Sequence, residues 1–180
     1  IAFLPQNDPS DAPFTAREFA LSGRYARQGR SPFDRPEDEA AADAALAVAG
    51  VTKLAHRLLS EMSGGERQRA RIARALAAEP KLLLLDEPAA SLDPGGQRDA
   101  YRLLRTLNRE RGVGVVVVSH DLNLPAVHAD LVWVVKEGTI VKTGLPADVL
   151  RAAFLSEVYD APFDEAFVPG RPAPILVPRW

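Results

Sequence analysis

Four consecutive leucines, Leu82 to Leu85, deliver two adjacent carboxylates, Asp86 and Glu87, to the end of a strand. A short run that is apolar on both faces suits the middle of a sheet covered on each side, and such sheets are parallel with crossover helices. The surrounding pattern agrees. Ile1 to Leu4 reads as a buried strand stopped by Pro5, with Gln6 at its exit, and Val115 to Val118 reads as a second central strand ending at Ser119 and His120. Between these strands the chain carries helical signals, which makes the fold class α/β.

The helical signals have identifiable ends. Thr15 and Glu18 have capping-box spacing, and Gly23 punctuates the helix that they start. A charged stretch follows through Asp34. Asp34 and Glu37 repeat the box with Pro36 at the first helical position, and the alanine-rich helix behind them ends at Gly50, where a left-handed cap is expected. A short helix is expected over Thr52 to Arg57. Gly65 to Ala78 forms the next one, with Ala70, Ala73, Leu76 and Ala77 on its apolar face and Pro80 as its stop. Asp93-Pro94 caps another, whose Leu103, Leu104 and Leu107 face the core. Leu131 to Val135 turns through Lys136-Glu137-Gly138 into Thr139 to Lys142, a hairpin at the sheet edge, and Pro146 starts a short helix. Pro162, Pro169, Pro172, Pro174 and Pro178 crowd the last segment, so a docking tail or loose end is expected there.

Composition excludes several chemistries. With no cysteine, disulfide scaffolds, thiolate metal sites and cysteine nucleophiles are ruled out. His56, His120 and His128 lack the paired spacing of a zinc hydrolase. The aliphatic runs fall well short of the ~18 residues that cross a bilayer. A net charge of −2 gives no general attraction to polyanions. Arg67, Arg71 and Arg74 read as one solvated helix face, so nucleic acid is not an expected partner.

Four elements remain that carry chemistry. An acidic pair can simply cap a strand, but the carboxyl end of a central parallel strand is where open α/β sheets hold ligands. There, Asp86 is the candidate metal ligand and Glu87 the candidate base. Ser63-Gly64-Gly65-Glu66 opens a helix; its glycine-freed amides, the helix dipole and the serine hydroxyl together suit an anion. His120 exits a strand on the same sheet edge and can donate to a phosphate oxygen. Gln6, at a third exit, can offer its carbonyl to a metal or a water.

In this order the residues resemble the nucleotide-binding subunit of ABC transporters, over almost the whole chain. Gln6 matches the Q-loop, Ser63-Gly64-Gly65-Glu66 the signature, Leu82 to Glu87 the Walker B strand, Ser91-Leu92-Asp93 the D-loop and His120 the switch histidine. Met62 and Glu66 stand where leucine and glutamine are commonest. The resemblance implies a P-loop-type parallel core (1–14 and 79–145), an inserted helical subdomain (15–78) and terminal helices with a proline-rich tail (146–180).

It also implies an ATPase that uses ATP with Mg²⁺ as a head-to-tail dimer with a second nucleotide-binding subunit. Ser63, Gly64, Gly65 and Glu66 would serve the partner's ATP. Asp86 and Gln6 would touch Mg²⁺, Glu87, His120 and Gln6 would be catalytic, and Asp93 would link the two sites. Transmembrane permease subunits would be direct partners and a substrate-binding protein an indirect one, at the cytoplasmic face of a bacterial inner membrane.

Thr15 to Tyr25, His120-Asp121-Leu122-Asn123 and Leu155 to Tyr159 further resemble the ATPases of iron-chelate, haem and cobalamin importers, with zinc and manganese importers as the near rival. None of Lys53, Lys81, Lys136 and Lys142 follows a glycine, so no G-x-x-x-x-G-K-[ST] loop is present. The chain is therefore expected to be an amino-terminally truncated piece, inactive alone. A non-catalytic interaction fragment is the alternative from another class.

Overall fold

Ala2–Leu4 (β1), Leu82–Asp86 (β2) and Gly114–Val118 (β3) pair in parallel, with β2 in the middle. The computed structural model describes residues 1–6, 13–25, 35–171 and 173–179. Its described part divides into two units, Ile1–Ser119 and His120–Trp180.

In the first unit the register aligns Leu4 with Leu85 and Asp86 with Val118, so the three strands end within one residue of one another. The flanking strands depart from expectation. In β1 only Leu4 is buried and Phe3 is exposed; β3 is half-buried and its Val118 is exposed. Both are outer strands among the described residues, each paired on one side only. The leucines of β2 alternate between buried and half-buried.

The helices are α1 (Ala16–Ser22), α2 (Pro36–Ala49), α3 (Gly64–Ala77) and α4 (Pro94–Arg111). Both halves of the Thr15/Glu18 box form, and the first amides of α1 also reach the Arg57 and Ala55 carbonyls. The Asp34/Glu37 box needs correcting. With Pro36 at the first helical position the cap falls on Arg35, which makes no side-chain cap bond. Asp34 and the charged stretch from residue 26 lie outside the described residues. Gly50 closes α2 in the left-handed region, at φ 73°. Beyond it Thr52–Leu54 winds as one 3₁₀ turn instead of a helix to Arg57, and Leu59–Glu61 as another.

One core joins these parts. Phe19 and Ala20 of α1, Ala42 and Leu46 of α2, Ile72 and Ala73 of α3, Leu83 and Leu85 of β2, and Leu104 and Leu107 of α4 are all buried together. Gly23 permits the closest approach: a Cβ there would sit 2.0 Å from the Arg74 carbonyl oxygen. Arg24 follows with a buried fork. It bonds Asp38 of α2 at 2.7 Å, the Ala77 carbonyl at the end of α3 at 2.9 Å, and Glu79 at 2.8 Å. Removing one member of such a buried pair leaves a charge in low dielectric.

The second unit contains α5 (Asn123–His128), β4 (Val132–Lys136), β5 (Thr139–Gly144), α6 (Pro146–Val149), α7 (Ala152–Tyr159), β6 (Phe163–Ala166) and β7 (Ile175–Pro178). The hairpin expected from Leu131 forms as β4–β5, but as a separate two-stranded sheet rather than an edge of the parallel one. The proline-rich end is not loose. β6 and β7 pair antiparallel, Glu165 opposite Leu176. Pro162, Pro169 and Pro174 fall outside the strands and Pro178 ends β7, so no central ladder amide is lost in a sheet whose strands are both edges. Ala126, Val132, Val149, Leu150, Leu155 and Leu176 form this unit's own core. Among the described residues no helix is long and apolar enough to cross a membrane.

Candidate functional site

The parallel register brings three strand exits to one edge of the first unit. Continuing the register sets Pro5 level with Asp86 one residue past the last β1 pair and Gln6 with Glu87 two past it, and Glu87 with Ser119 one past the last β3 pair. The Glu87 amide confirms the last pair by donating to the Val118 carbonyl at 2.9 Å. Beyond that bond the backbone of Glu87 turns to φ 48°, left-handed and unusual for a residue with a side chain. The conformation costs about 1–2 kcal/mol. Pro88 also keeps its predecessor out of the right-handed region.

Strain of this kind persists where the surroundings impose it, and it gathers at functional positions. Ser119 meets the turned side chain, its hydroxyl 3.5 Å from Glu87 Oε2. Asp86 and Glu87 are both half-buried, dry enough for charge to count and open enough for a ligand.

Ser63 caps α3. Its hydroxyl oxygen accepts from the Glu66 amide at 3.3 Å, and the Glu66 carboxylate accepts from the Ser63 amide at 2.9 Å. The Ser63 amide, then its hydroxyl, hold the Glu66 carboxyl below the usual carboxylate range, with Arg57 adding a smaller pull. The glycines leave the tip bare: a Cβ on Gly65 would meet nothing within 4 Å, and one on Gly64 would meet only the Ser91 carbonyl, at 4.0 Å. The helix start and the Ser91-Leu92-Asp93 segment are therefore neighbours. Asp93 itself caps α4, its carboxylate accepting from the Gly96 amide at 2.7 Å.

The arginines of α3 correct the expectation of a solvated face. Arg67 bonds the Met62 carbonyl, Arg69 bonds the Ala49 carbonyl and Asp99, and Arg74 lies over the Phe19 ring at 4.9 Å. Arg71 reaches the sheet edge. Its guanidinium donates to the Pro5 carbonyl and, at 3.2 Å, to that of Gln6, while another of its nitrogens donates to Gln68 at 3.1 Å. Sequence reasoning missed this clamp, because nothing local marks an arginine whose acceptors lie on a distant strand. It also passed over Ser119 as a partner for Glu87, although the strand register alone would have paired them.

His120 opens the second unit, exposed, on a turn closed by Asp121, whose carboxylate accepts from the Asn123 and Leu124 amides at 2.7 and 2.9 Å. The first unit thus gathers Gln6, Asp86 and Glu87 at one edge and carries the Ser63-Gly64-Gly65-Glu66 tip and Asp93; His120 is placed within the second.

Among the described residues no group of three or more His, Cys, Asp or Glu side chains forms a metal cage. The donor set at the sheet edge is hard oxygen: the Asp86 carboxylate and the amide carbonyl that Gln6 can offer. That chemistry fits Mg²⁺, which takes one or two protein carboxylates and completes its shell with phosphate and water.

Comparisons with known proteins bear on the family. The ABC transporter family matches residues 1–90. The hemin import ATP-binding protein HmuV of Rhodococcus jostii (strain RHA1) is 41% identical across 99% of this chain and 60% of its own length. The ferric enterobactin transport ATP-binding protein FepC of Escherichia coli (strain K12) is 39% identical across 88% of this chain and 59% of its own. The chain thus spans about three-fifths of these relatives. A solved inward-facing putative metal-chelate type ABC transporter superposes with TM-score 0.92 at 29% identity, over 99% of this chain and 73% of that one. The dimeric ATP-binding cassette MJ0796, bound to ADP and Pi in a post-hydrolysis state, gives a TM-score of 0.63 at 29% identity over 81% of this chain and 62% of that one.

Proposed function

The chain belongs to the ABC transporter family, and from that premise we propose that it serves as the ATP-binding and hydrolysing subunit of a bacterial importer for an iron chelate, haem or cobalamin. One observation carries the reading. Asp86 and Glu87 leave a central parallel strand side by side, with Glu87 turned by a left-handed backbone towards Ser119 in the unit that also presents the bare Gly65 tip.

The chemistry follows from what each group can do. Glu87 orients a water and takes its proton as the water attacks the γ-phosphate in line. Asp86, with Gln6, holds Mg²⁺, which when bound neutralises phosphate charge. His120 donates to a γ-phosphate oxygen. The amides of Gly64 and Gly65 and the Ser63 hydroxyl face the ATP held by a second nucleotide-binding subunit, with Glu66 keeping the tip in shape and Asp93 fixing the adjoining segment. Such a composite pocket makes hydrolysis depend on dimer closure.

The helical segment 15–78 forms a subdomain that meets permease subunits at the cytoplasmic face of the inner membrane, with the substrate-binding protein acting at one remove. The names of the relatives support iron chelates or haem as cargo; the choice among cargoes belongs to those other subunits.

Glu87→Gln in the whole natural protein tests the reading. The amide keeps the shape and loses the base, so ATP binding by a fluorescent analogue should persist while steady-state hydrolysis falls at least about 100-fold. Hydrolysis at the original rate would refute Glu87 as the base.

A further inference from the structure

The turn that carries His120 is fastened to the carboxyl-terminal hairpin by one side chain. Asn123 Nδ2 donates to the Leu176 carbonyl at 3.2 Å, and Asn123 Oδ1 accepts from the Leu176 amide at 2.8 Å. The planar amide thus takes both backbone groups of one β7 residue, as a neighbouring strand would. Only an amide side chain carries a donor and an acceptor with this reach and geometry. An aspartate would turn an acceptor towards the Leu176 carbonyl, and a leucine would leave both backbone groups unmatched at a residue only 3% exposed.

Both ends of this link are held. On the histidine side, the Asp121 carboxylate collects the amides of Asn123 and Leu124, so the chain from His120 to the start of α5 has little freedom. On the hairpin side, Leu176 is packed among Ala126, Val149, Leu150 and Leu155, and its β6 partner Glu165 accepts from the Ala152 amide at 2.9 Å and pairs with Arg151 at 3.1 Å.

We propose that Asn123 is a positioning residue for His120, and that the terminal hairpin β6–β7 is the rigid body against which it sets the histidine. The segment that composition marks as a loose tail thereby acts on catalysis without touching substrate. This inference rests on the assignment of His120 to the γ-phosphate, and the experiment separates the two.

Asn123→Leu and the milder Asn123→Asp are made in the whole natural polypeptide, each alone and combined with His120→Ala. Asn123→Leu should lower kcat for ATP hydrolysis about tenfold with KM for ATP held within about twofold, because a reacting-state contact is lost and ground-state binding is not. Asn123→Asp should fall between it and the parent. Amide exchange at Leu176 should quicken in Asn123→Leu, which removes its acceptor, and much less in Asn123→Asp, which keeps one. In the His120→Ala background either substitution should change kcat by less than about twofold, since a residue that acts through another adds nothing once that one is gone.

An unchanged kcat in Asn123→Leu, or an equal loss with and without His120, overturns the proposal. Full activity in His120→Ala alone would instead remove His120 from the reaction, a failure of the functional reading. If Asn123→Leu does not fold, Asn123→Asp, which keeps the bond from the Leu176 amide, decides by the same double-mutant comparison.

Discussion

Gly23→Ala should damage this protein although its backbone has no need of glycine. Gly23 closes α1 at φ −63°, ψ −19°, an ordinary helical conformation in which alanine is normally favoured by roughly 0.5–1 kcal/mol. Space sets the opposite sign. The added methyl would stand 2.0 Å from the Arg74 oxygen, 3.0 Å from its carbonyl carbon and 3.1 Å from the Ala20 oxygen, where ordinary contact begins at 3.4 Å. All three atoms are backbone, and Arg74 lies inside α3, so no side chain can swing aside. Relief requires α1 and α3 to part by more than an ångström, thinning the packing of Phe19, Ala20 and Ala73 and straining the Arg24 bond to the Ala77 carbonyl.

Overpacking costs about 1–3 kcal/mol, and two rigid backbones place this case at the upper end, so a net loss of about 2 kcal/mol remains after the propensity gain. With a urea slope of about 1–3 kcal/mol/M the midpoint should fall by roughly 1 M at unchanged slope. Gly112→Ala is the control. Gly112 has φ 65° and open space around it, so only the left-handed penalty of about 1 kcal/mol applies. A midpoint for Gly23→Ala equal to or above the parent would refute the close-approach argument outright, because propensity alone would then be acting.

Two further outcomes follow from the tip of α3. Gly65→Ala places a methyl where nothing lies within 4 Å, so urea stability should stay within about 0.5 kcal/mol of the parent; ATP hydrolysis by the whole protein should nonetheless collapse, and retained turnover would show that no phosphate approaches there. The Glu18 and Glu66 carboxyls are both held below their ordinary value of 4.5, first by the backbone amides of Thr15 and Ser63 and then by those residues' hydroxyls. A depressed folded pKa contributes stability that is fully present above the unfolded value and is lost as pH falls through the folded one. Urea midpoints should therefore drop as pH falls below 4.5, and less steeply in Glu66→Gln, which keeps the capping geometry without the titration; identical profiles would remove the capping carboxylate as a source of acid sensitivity.

Much of the first unit was legible because its signals are local. Thr15 with Glu18, Gly50, Asp93-Pro94 and the four leucines each state their own conformation, and the structure places a cap, a left-handed stop, a second cap and a central strand there. The carboxylate pair was legible for the same reason, since a strand apolar on both faces announces where it ends. What failed was non-local. The burial of β1 and β3 depends on how many neighbours each strand has, which no single strand reveals. Arg71 looked solvated on a helical wheel, yet its acceptors are carbonyls at the exit of β1. The prolines of the last segment were counted rather than located; Pro162, Pro169 and Pro174 lie outside β6 and β7 and Pro178 only at the end of β7, which is what allows the hairpin.

Seen together, the bonds to α3 explain why so short a helix carries so much of the site. At its start Ser63 and Glu66 close the capping box, and Gly65 leaves open space where a side chain would stand. At its middle Arg71 grips the backbone of Pro5 and Gln6, where the parallel sheet ends. At its end Gly23 lets α1 touch the backbone, and Arg24 ties the last carbonyls to α2. Charge-assisted bonds to main-chain carbonyls fix position more strictly than surface ion pairs do, because the acceptors cannot rotate away. Arg71 therefore ties the exit of β1 to the helix that carries the Ser63-Gly64-Gly65 tip, and the Gly23 and Arg24 contacts tie α1 and α2 to its other end. The ties to β1 and α1 run through main-chain carbonyls and the tie to α2 through the buried Arg24–Asp38 pair, so they survive exposed substitutions on α1 and α2 and fail when the approach at Gly23 is spoiled.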